Sequence, residues 1–526
     1  MKKVFLGALL LLIGHVCNAE DITIQYNGSS AKVKQTTGDS VKVNVKGAHV
    51  SIESLYKNHQ LTLLLKGESN DGQLVLKTDG KAKIKLDGLN LTSLEGAPLE
   101  LKNKKKVEVV AAKGTENTLT VTACNDTANH KAAVIWAKDK LQFSGKGTLN
   151  VIATGDGCRG IKTKKDITIE ELTLNVTTSG NHLGEKPFGF GGFPGMPEGG
   201  FQMPEGGFPN FGGFPMPNDS IMRGGFPNFG GFPMPNDSIM RGGFLNFGGF
   251  PMPNDSIMQG GFPNFPMGGF PGLGDREDND SIQEGPGGFA GKHKYVASTK
   301  GIASKGKITI NSGNVTVRTS TAGAEGIEGK EGVVFNGGNV DVMTPDDAIN
   351  AGATIEFNGA NVIARSTGND AVDSNPKGGF FMPFGGNSSQ EDTDPAIIIR
   401  GGTVYAWSQV GSPEEGLDCD FAPLVVEGGT IFSVGGGMGE MPSVPTNKTA
   451  KQPTVLLIGV NIVENEPVNI CDAGGKLVDT VTVPFSMKRS ASLVSSPAFK
   501  LGSTYTVKTK GYEKTFTLSE NFTTVR

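Results

Sequence analysis

Three features of the sequence predict an all-β chain: a right-handed parallel β-helix, interrupted by a long Gly/Phe/Pro-rich insert and closed by a small C-terminal β cap. The first is a recurring phrase: Gly160-Ile161-Lys162, Gly301-Ile302-Ala303, Gly326-Ile327-Glu328, Ala348-Ile349-Asn350, Ala371-Val372-Asp373 and Gly416-Leu417-Asp418. Its apolar anchors at 302, 327, 349 and 372 are 25, 22 and 23 residues apart. The second is an alternating stretch and an Asn/Gly turn just after most copies of the phrase, as in Ile308-Thr309-Ile310 before Asn311-Ser312-Gly313-Asn314-Val315. One such repeat cannot bury its own apolar face, so copies must stack, at about 4.8 Å per coil in a parallel ladder. The third is a stretch of different composition between two copies of the phrase. A β-sandwich also offers short strands and Gly turns, but has no reason to repeat one phrase in phase.

From the N-terminus, Lys2 and Lys3, the apolar run from Val4 to Ile13 and the small-residue site Cys17-Asn18-Ala19 read as a secretory signal peptide over residues 1–19. That run is too short for a membrane span, and no later segment reaches the roughly 18 apolar residues a span needs. The expected location is secreted, periplasmic or cell-surface. Residues 20–179 form the N-terminal part of the β-helix, with less regular coils such as Val41-Lys42-Val43-Asn44-Val45, as terminal repeats usually are.

Residues 180–293 form the insert. Its unit, Gly206 to Arg223, recurs from Gly224 and from Gly242, a period of 18, and the insert holds seventeen of the thirty Phe. Glycine and proline nevertheless prevent a helix or a continuous strand, so a disordered loop on one turn of the helix is expected, with a cell-envelope partner as a candidate contact. Each unit repeats Asn-Asp-Ser-Ile. As Asn-x-Ser at Asn218, Asn236, Asn254 and Asn279, this is an N-glycosylation acceptor in a eukaryotic host. As Asp-Ser-Ile it matches the O-glycosylation sequon of Bacteroidota, with Ser220, Ser238, Ser256 and Ser281 as acceptors, unless duplication merely copied a tetrapeptide without function.

Regular coils resume over 294–451, with a smaller Gly/Phe/Pro-rich insert at 376–395, and the phrase is lost over 452–526, the expected cap. After the predicted cleavage four cysteines remain. Cys124 and Cys158 form a candidate disulfide in an oxidising compartment, with free buried thiols as the alternative. No Cys-x-x-Cys or His-Glu-x-x-His spacing suggests zinc, and a formal charge of -4 gives no reason to propose nucleic acid.

Acidic residues flank the phrase. Stacked carboxylates repel unless a cation lies between them, and Ca2+ takes six to eight oxygen ligands outside the cell. The candidate ligands are Asp346, Asp347, Asn350, Asn369, Asp370, Asp373 and Asn375; the alternative is that they are turn formers satisfied by backbone amides. Calcium on a β-helix face can bridge to an acidic polysaccharide, and Trp136, Tyr405 and Trp407 are candidate sugar-stacking residues or else core. Arg159, Lys162, Lys164 and Lys305 lie near the turns, where a β-eliminating lyase would place a base. No separated carboxylate pair suggests a glycosidase.

The segment Gly114-Thr115-Glu116-Asn117-Thr118-Leu119-Thr120, the coils through Asp373-Ser374-Asn375 and Glu415-Gly416-Leu417-Asp418, and Leu493-Val494-Ser495-Ser496-Pro497 resemble a bacterial carbohydrate-binding β-helix family with a clostridial polygalacturonate-binding member. The resemblance implies a pectate-lyase-like parallel β-helix that binds calcium and acidic plant polysaccharide without established catalysis. The Phe-rich insert and the Asp156-Gly157-Cys158-Arg159-Gly160 turn depart from that pattern. The alternative class is a structural or adhesive surface protein acting through the Phe/Met-rich loop.

Overall fold

A computed structural model describes residues 21–123, 132–186, 294–376, 394–419, 422–436 and 442–526. Cys124, Ser220, Ser238, Ser256, Ser281 and nearly all of both predicted inserts lie outside the described residues. Among those described, all regular structure is β-strand.

Parallel pairing repeats with the sequence period, and three ladders result. In the first, an eleven-stranded sheet, the recurring phrase supplies neighbouring strands: Arg159–Thr163, Lys300–Ser304, Glu325–Gly329, Ile349–Ala351, Val372–Ser374 and Leu417–Asp418. Ile161 pairs with Ile302, Ile302 with Ile327, Ile327 with Ile349, Ile349 with Val372 and Val372 with Leu417. The second ladder stacks Ile167–Ile169, Ile308–Ile310, Val333–Phe335, Ile355–Phe357, Ile397–Ile399 and Leu424–Val426. The third stacks Thr173–Thr178, Asn314–Thr319, Asn339–Thr344, Asn361–Ser366, Thr403–Ser408 and Thr430–Gly435. The chain is β-helix-like: each coil lays one strand on each ladder, and the apolar residues of all three meet in one core. Phe335 and Phe357 stack inside it, with centroids 5.0 Å apart and an interplanar angle of 6°.

The ladders run straight across the long insert. Ile161, Ile167 and Leu174 pair in register with Ile302, Ile308 and Val315, so residues on either side of the insert belong to adjacent coils. The antiparallel strands Leu183–Lys186 and Lys294–Ala297 bring the two ends together. At the N-terminus, antiparallel strands Ser30–Gln35 and Val41–Lys46 finish the ladders, and their lysines discourage further strand addition.

At the C-terminus, Met487–Ser495 pairs antiparallel with Thr430–Gly435 and with Thr454–Ile462, turning the third ladder into the terminal segment. A four-stranded antiparallel sheet completes this end, including Pro467–Asp472 and Thr504–Thr509. A second apolar core joins this sheet to the third ladder through Trp407, Phe432 and Phe485.

Candidate functional site

Alternation places Ile161, Ile302, Ile327, Ile349 and Val372 in the core. The residue after each anchor points outward, giving a row Trp136, Lys162, Ala303, Glu328, Asn350, Asp373, Asp418 along the first ladder. A second row lies two residues before the anchors: Arg159, Lys300, Glu325, Asp347, Asp370 and Glu415. Side-chain contacts join the rows, since Lys300 Nζ lies 2.9 Å from Glu325 Oε2 and 2.8 Å from Glu328 Oε1. The two rows are cationic at their N-terminal end and anionic at their C-terminal end, and most of their members are buried.

The middle of the face is neutralised internally. Burial pushes the Glu325 carboxyl up to about 7, against the pull of Lys300. Burial also works against ionisation of Glu328, but Lys300 and Lys330 outweigh it and hold its carboxyl at about 2. Lys300 remains charged, because these two glutamates more than offset its burial.

Of the predicted calcium ligands, the structure brings four into one hydrogen-bonded group. Asn350 Nδ2 donates to Asp347 Oδ2 at 2.8 Å and lies 3.3 Å from Asp373 Oδ2, which also accepts from Asn375 Nδ2 at 2.9 Å. Asp346 and Asn369 form a separate pair, with Nδ2 donating to Oδ1 at 2.6 Å. Asp370, on the coil of Asp373, accepts the Glu415 N–H from the next coil. Burial first, then the charges of Asp418 and Asp347, push the Asp370 carboxyl well above the usual carboxylate range. Among the described residues, no three His, Cys, Asp or Glu side chains converge tightly enough to hold a metal by themselves. The donor set is nonetheless oxygen-rich and suits a hard cation that also takes amide and backbone oxygens. The Asn350 amide bridges two carboxylates, which supplies part of the positive potential such a group demands.

Two expectations are corrected. Trp136 and Trp407 are only 4% and 5% exposed, so neither offers a ring face for a sugar. Trp136 packs with Ala97 and Ala133, and Trp407 is held in the terminal core. Tyr405 is half-buried and stacks on Trp407 with centroids 5.6 Å apart. Two of the basic candidates are also withdrawn from solvent, since Arg159 donates through its guanidinium to Ser298 and Lys162 is 4% exposed, while Lys164 and Lys305 are half-buried. Cys158 is disulfide-bonded, whereas Cys471 is a half-buried free thiol.

Sequence reasoning missed the Lys300, Glu325 and Glu328 ion group, although a charged residue precedes the Gly-Ile phrase at 159, 300 and 325. It also missed Ser443, whose N–H reaches Glu415 Oε2 at 2.6 Å. No local signal marks that contact, which depends on the chain returning beside an earlier coil.

Comparison with known proteins adds an independent line. Residues 46–186 and 282–374 match the family model described as carbohydrate-binding domain-containing protein. A protein of Acetivibrio thermocellus with the same description is 30% identical over 139 residues, 25% of this chain and 48% of that protein. The chain thus matches about half the length of that relative. Among solved structures, the polysaccharide lyase-like protein from C. thermocellum, determined as a gadolinium derivative, covers 65% of this chain and 90% of its own at 16% identity and a TM-score of 0.36. Over these two segments, which flank most of the long insert, the chain is similar to carbohydrate-binding domain proteins.

Proposed function

We propose that this is an exported carbohydrate-binding protein, a right-handed parallel β-helix that takes acidic, pectin-like polysaccharide with the help of calcium. The observation that carries the reading is the crowding of carboxylates on adjacent coils, where burial and the charges of Asp418 and Asp347 oppose the ionisation of Asp370. A divalent cation relieves that opposition and leaves coordination positions for a ligand carboxylate. The match to carbohydrate-binding domain proteins supports saccharide as the ligand class. The role is binding without catalysis, because the basic residues nearest the phrase are buried or engaged. Export also suits the disulfide at Cys158, for which Cys124 is the proposed partner, and glycosylation of the insert serines.

Affinity electrophoresis through pectin gels tests the reading. Retardation is expected with calcium and its loss with chelator; equal mobility in gels with and without pectin sinks it. Ultraviolet-absorbing unsaturated ends in the same incubation would instead establish a lyase.

A further inference from the structure

The third ladder carries a feature that the calcium reading does not use. On adjacent coils Arg365 pairs in register with Trp407, and Ile363 with Tyr405. The four side chains therefore form a block on the outward side of the third ladder, where the terminal segment packs against it. Trp407 belongs to the terminal core, and the Arg365 guanidinium lies over the Phe485 ring, 5.7 Å from its centroid. Arg365 Nε and Trp407 Nε1 are both buried, and neither meets an acceptor among the described residues. A buried N–H without an acceptor is destabilising, so two from neighbouring side chains ask for a common explanation. Asp341, in register with Ile363, is already engaged by Arg318, while Glu464 and Asp341 attract Arg365 only at longer range.

Beside these donors the block has an apolar edge. Ile363 is 37% exposed, and Tyr405 is half-buried and stacked almost parallel to Trp407, at 14°. Donors for an anion beside a flat, partly exposed apolar strip fit a sugar acid: its carboxylate accepts from both N–H groups and its ring lies on Ile363 and the Tyr405 edge. We propose that Arg365 and Trp407 form a carboxylate-accepting subsite for a uronic acid residue, distinct from the acidic face of the first ladder and independent of calcium. The proposal rests on the acidic-polysaccharide reading and names a second place where such a chain is held.

The test uses the full-length protein with 15N-labelled tryptophan. The chain has two Trp, so two indole N–H signals are expected, and Trp407→Phe assigns them. With chelator present, a short oligogalacturonate is titrated in, and a neutral oligosaccharide of equal length serves as control. The expected result is a saturable downfield shift of the Trp407 signal with the uronate alone. Arg365→Gln should weaken binding about tenfold, the scale of one lost hydrogen bond to a charged group. Arg365→Lys, which keeps the charge but lacks Nε, should fall between. No shift, as expected if only water satisfies these donors, overturns the proposal. So does an equal shift with the neutral sugar, or unchanged binding by an Arg365→Gln protein with a wild-type melting profile. Pectin-gel retardation in calcium separates the two failures: a retarded wild type whose Trp407 signal never shifts sinks only this subsite, whereas an unretarded wild type sinks the parent reading.

Discussion

Gly326 lacks a side chain because its surroundings leave no room for one. A Cβ there would lie 2.4 Å from the Ala348 carbonyl oxygen and 2.5 Å from Val342 Cγ1, and Gly301 is similarly crowded by Gly326 O and Val317 Cγ1. The equivalent positions at 348 and 371 hold alanine, fully buried in the core, so one methyl is tolerated where the coil spacing adjusts. Gly326→Ala should therefore cost less than Gly326→Val, which should destabilise by about 1–3 kcal/mol in a urea melt, the scale of overpacking a filled core. Equal stability of the two variants would contradict this account of the phrase. Asp370 presents the opposite case, a residue whose charge is unfavourable where it stands. Asp370→Asn keeps an oxygen for the Glu415 N–H and removes the charge, so in chelator near pH 8 it should raise the melting midpoint. If the cluster binds calcium, the same variant should lose most of the melting shift that calcium gives the wild type; a full shift removes Asp370 from the site.

At the scale of elements, the long insert interrupts the sequence but not the ladders, because Ile161 and Ile302 already occupy adjacent coils. Replacing residues 188–292 with a Gly/Ser turn of about four residues should leave the circular dichroism spectrum unchanged. If the insert is the disordered loop its composition predicts, the shortening should also stabilise the protein by roughly 3 kcal/mol through reduced loop-closure entropy. Loss of the folded spectrum would mean that the coils depend on the insert. The strands were legible in the sequence because each copy of the phrase meets the same local demands: an anchor in the core, a small residue before it and a turn after it. The acidic rows were legible for the same reason, being tied to the phrase by fixed offsets. The fate of Trp136 and Trp407 was not legible, since their burial depends on the elements that pack outside the coil. The pairing of Arg365 with Trp407 was hidden as well, because register between coils joins residues whose sequence separation includes the second insert.

For the molecule as a whole, the first-ladder face links stability to pH. Glu325 has a folded value of about 7 against an ordinary 4.5. A group raised on folding contributes stability that is fully present below its unfolded value and is lost as pH rises through its folded value. Asp370 is shifted in the same direction by its burial and by Asp418 and Asp347. Glu328 runs the other way, but its contribution is present above its ordinary value and is lost only as pH falls towards about 2. Between pH 5 and 8 His182, lowered by burial, works against the raised groups, but the shift of Glu325 is the larger, so in chelator the protein should be more stable at about pH 5 than at about pH 8. Glu325 alone accounts for a difference on the order of 3 kcal/mol. Thermal melts across this range measure it, and a midpoint that rises with pH would contradict the assigned directions. Glu325→Gln should remove the larger part of the slope, because the amide cannot ionise; an unchanged slope in that variant would place its origin elsewhere than in the Lys300, Glu325 and Glu328 group.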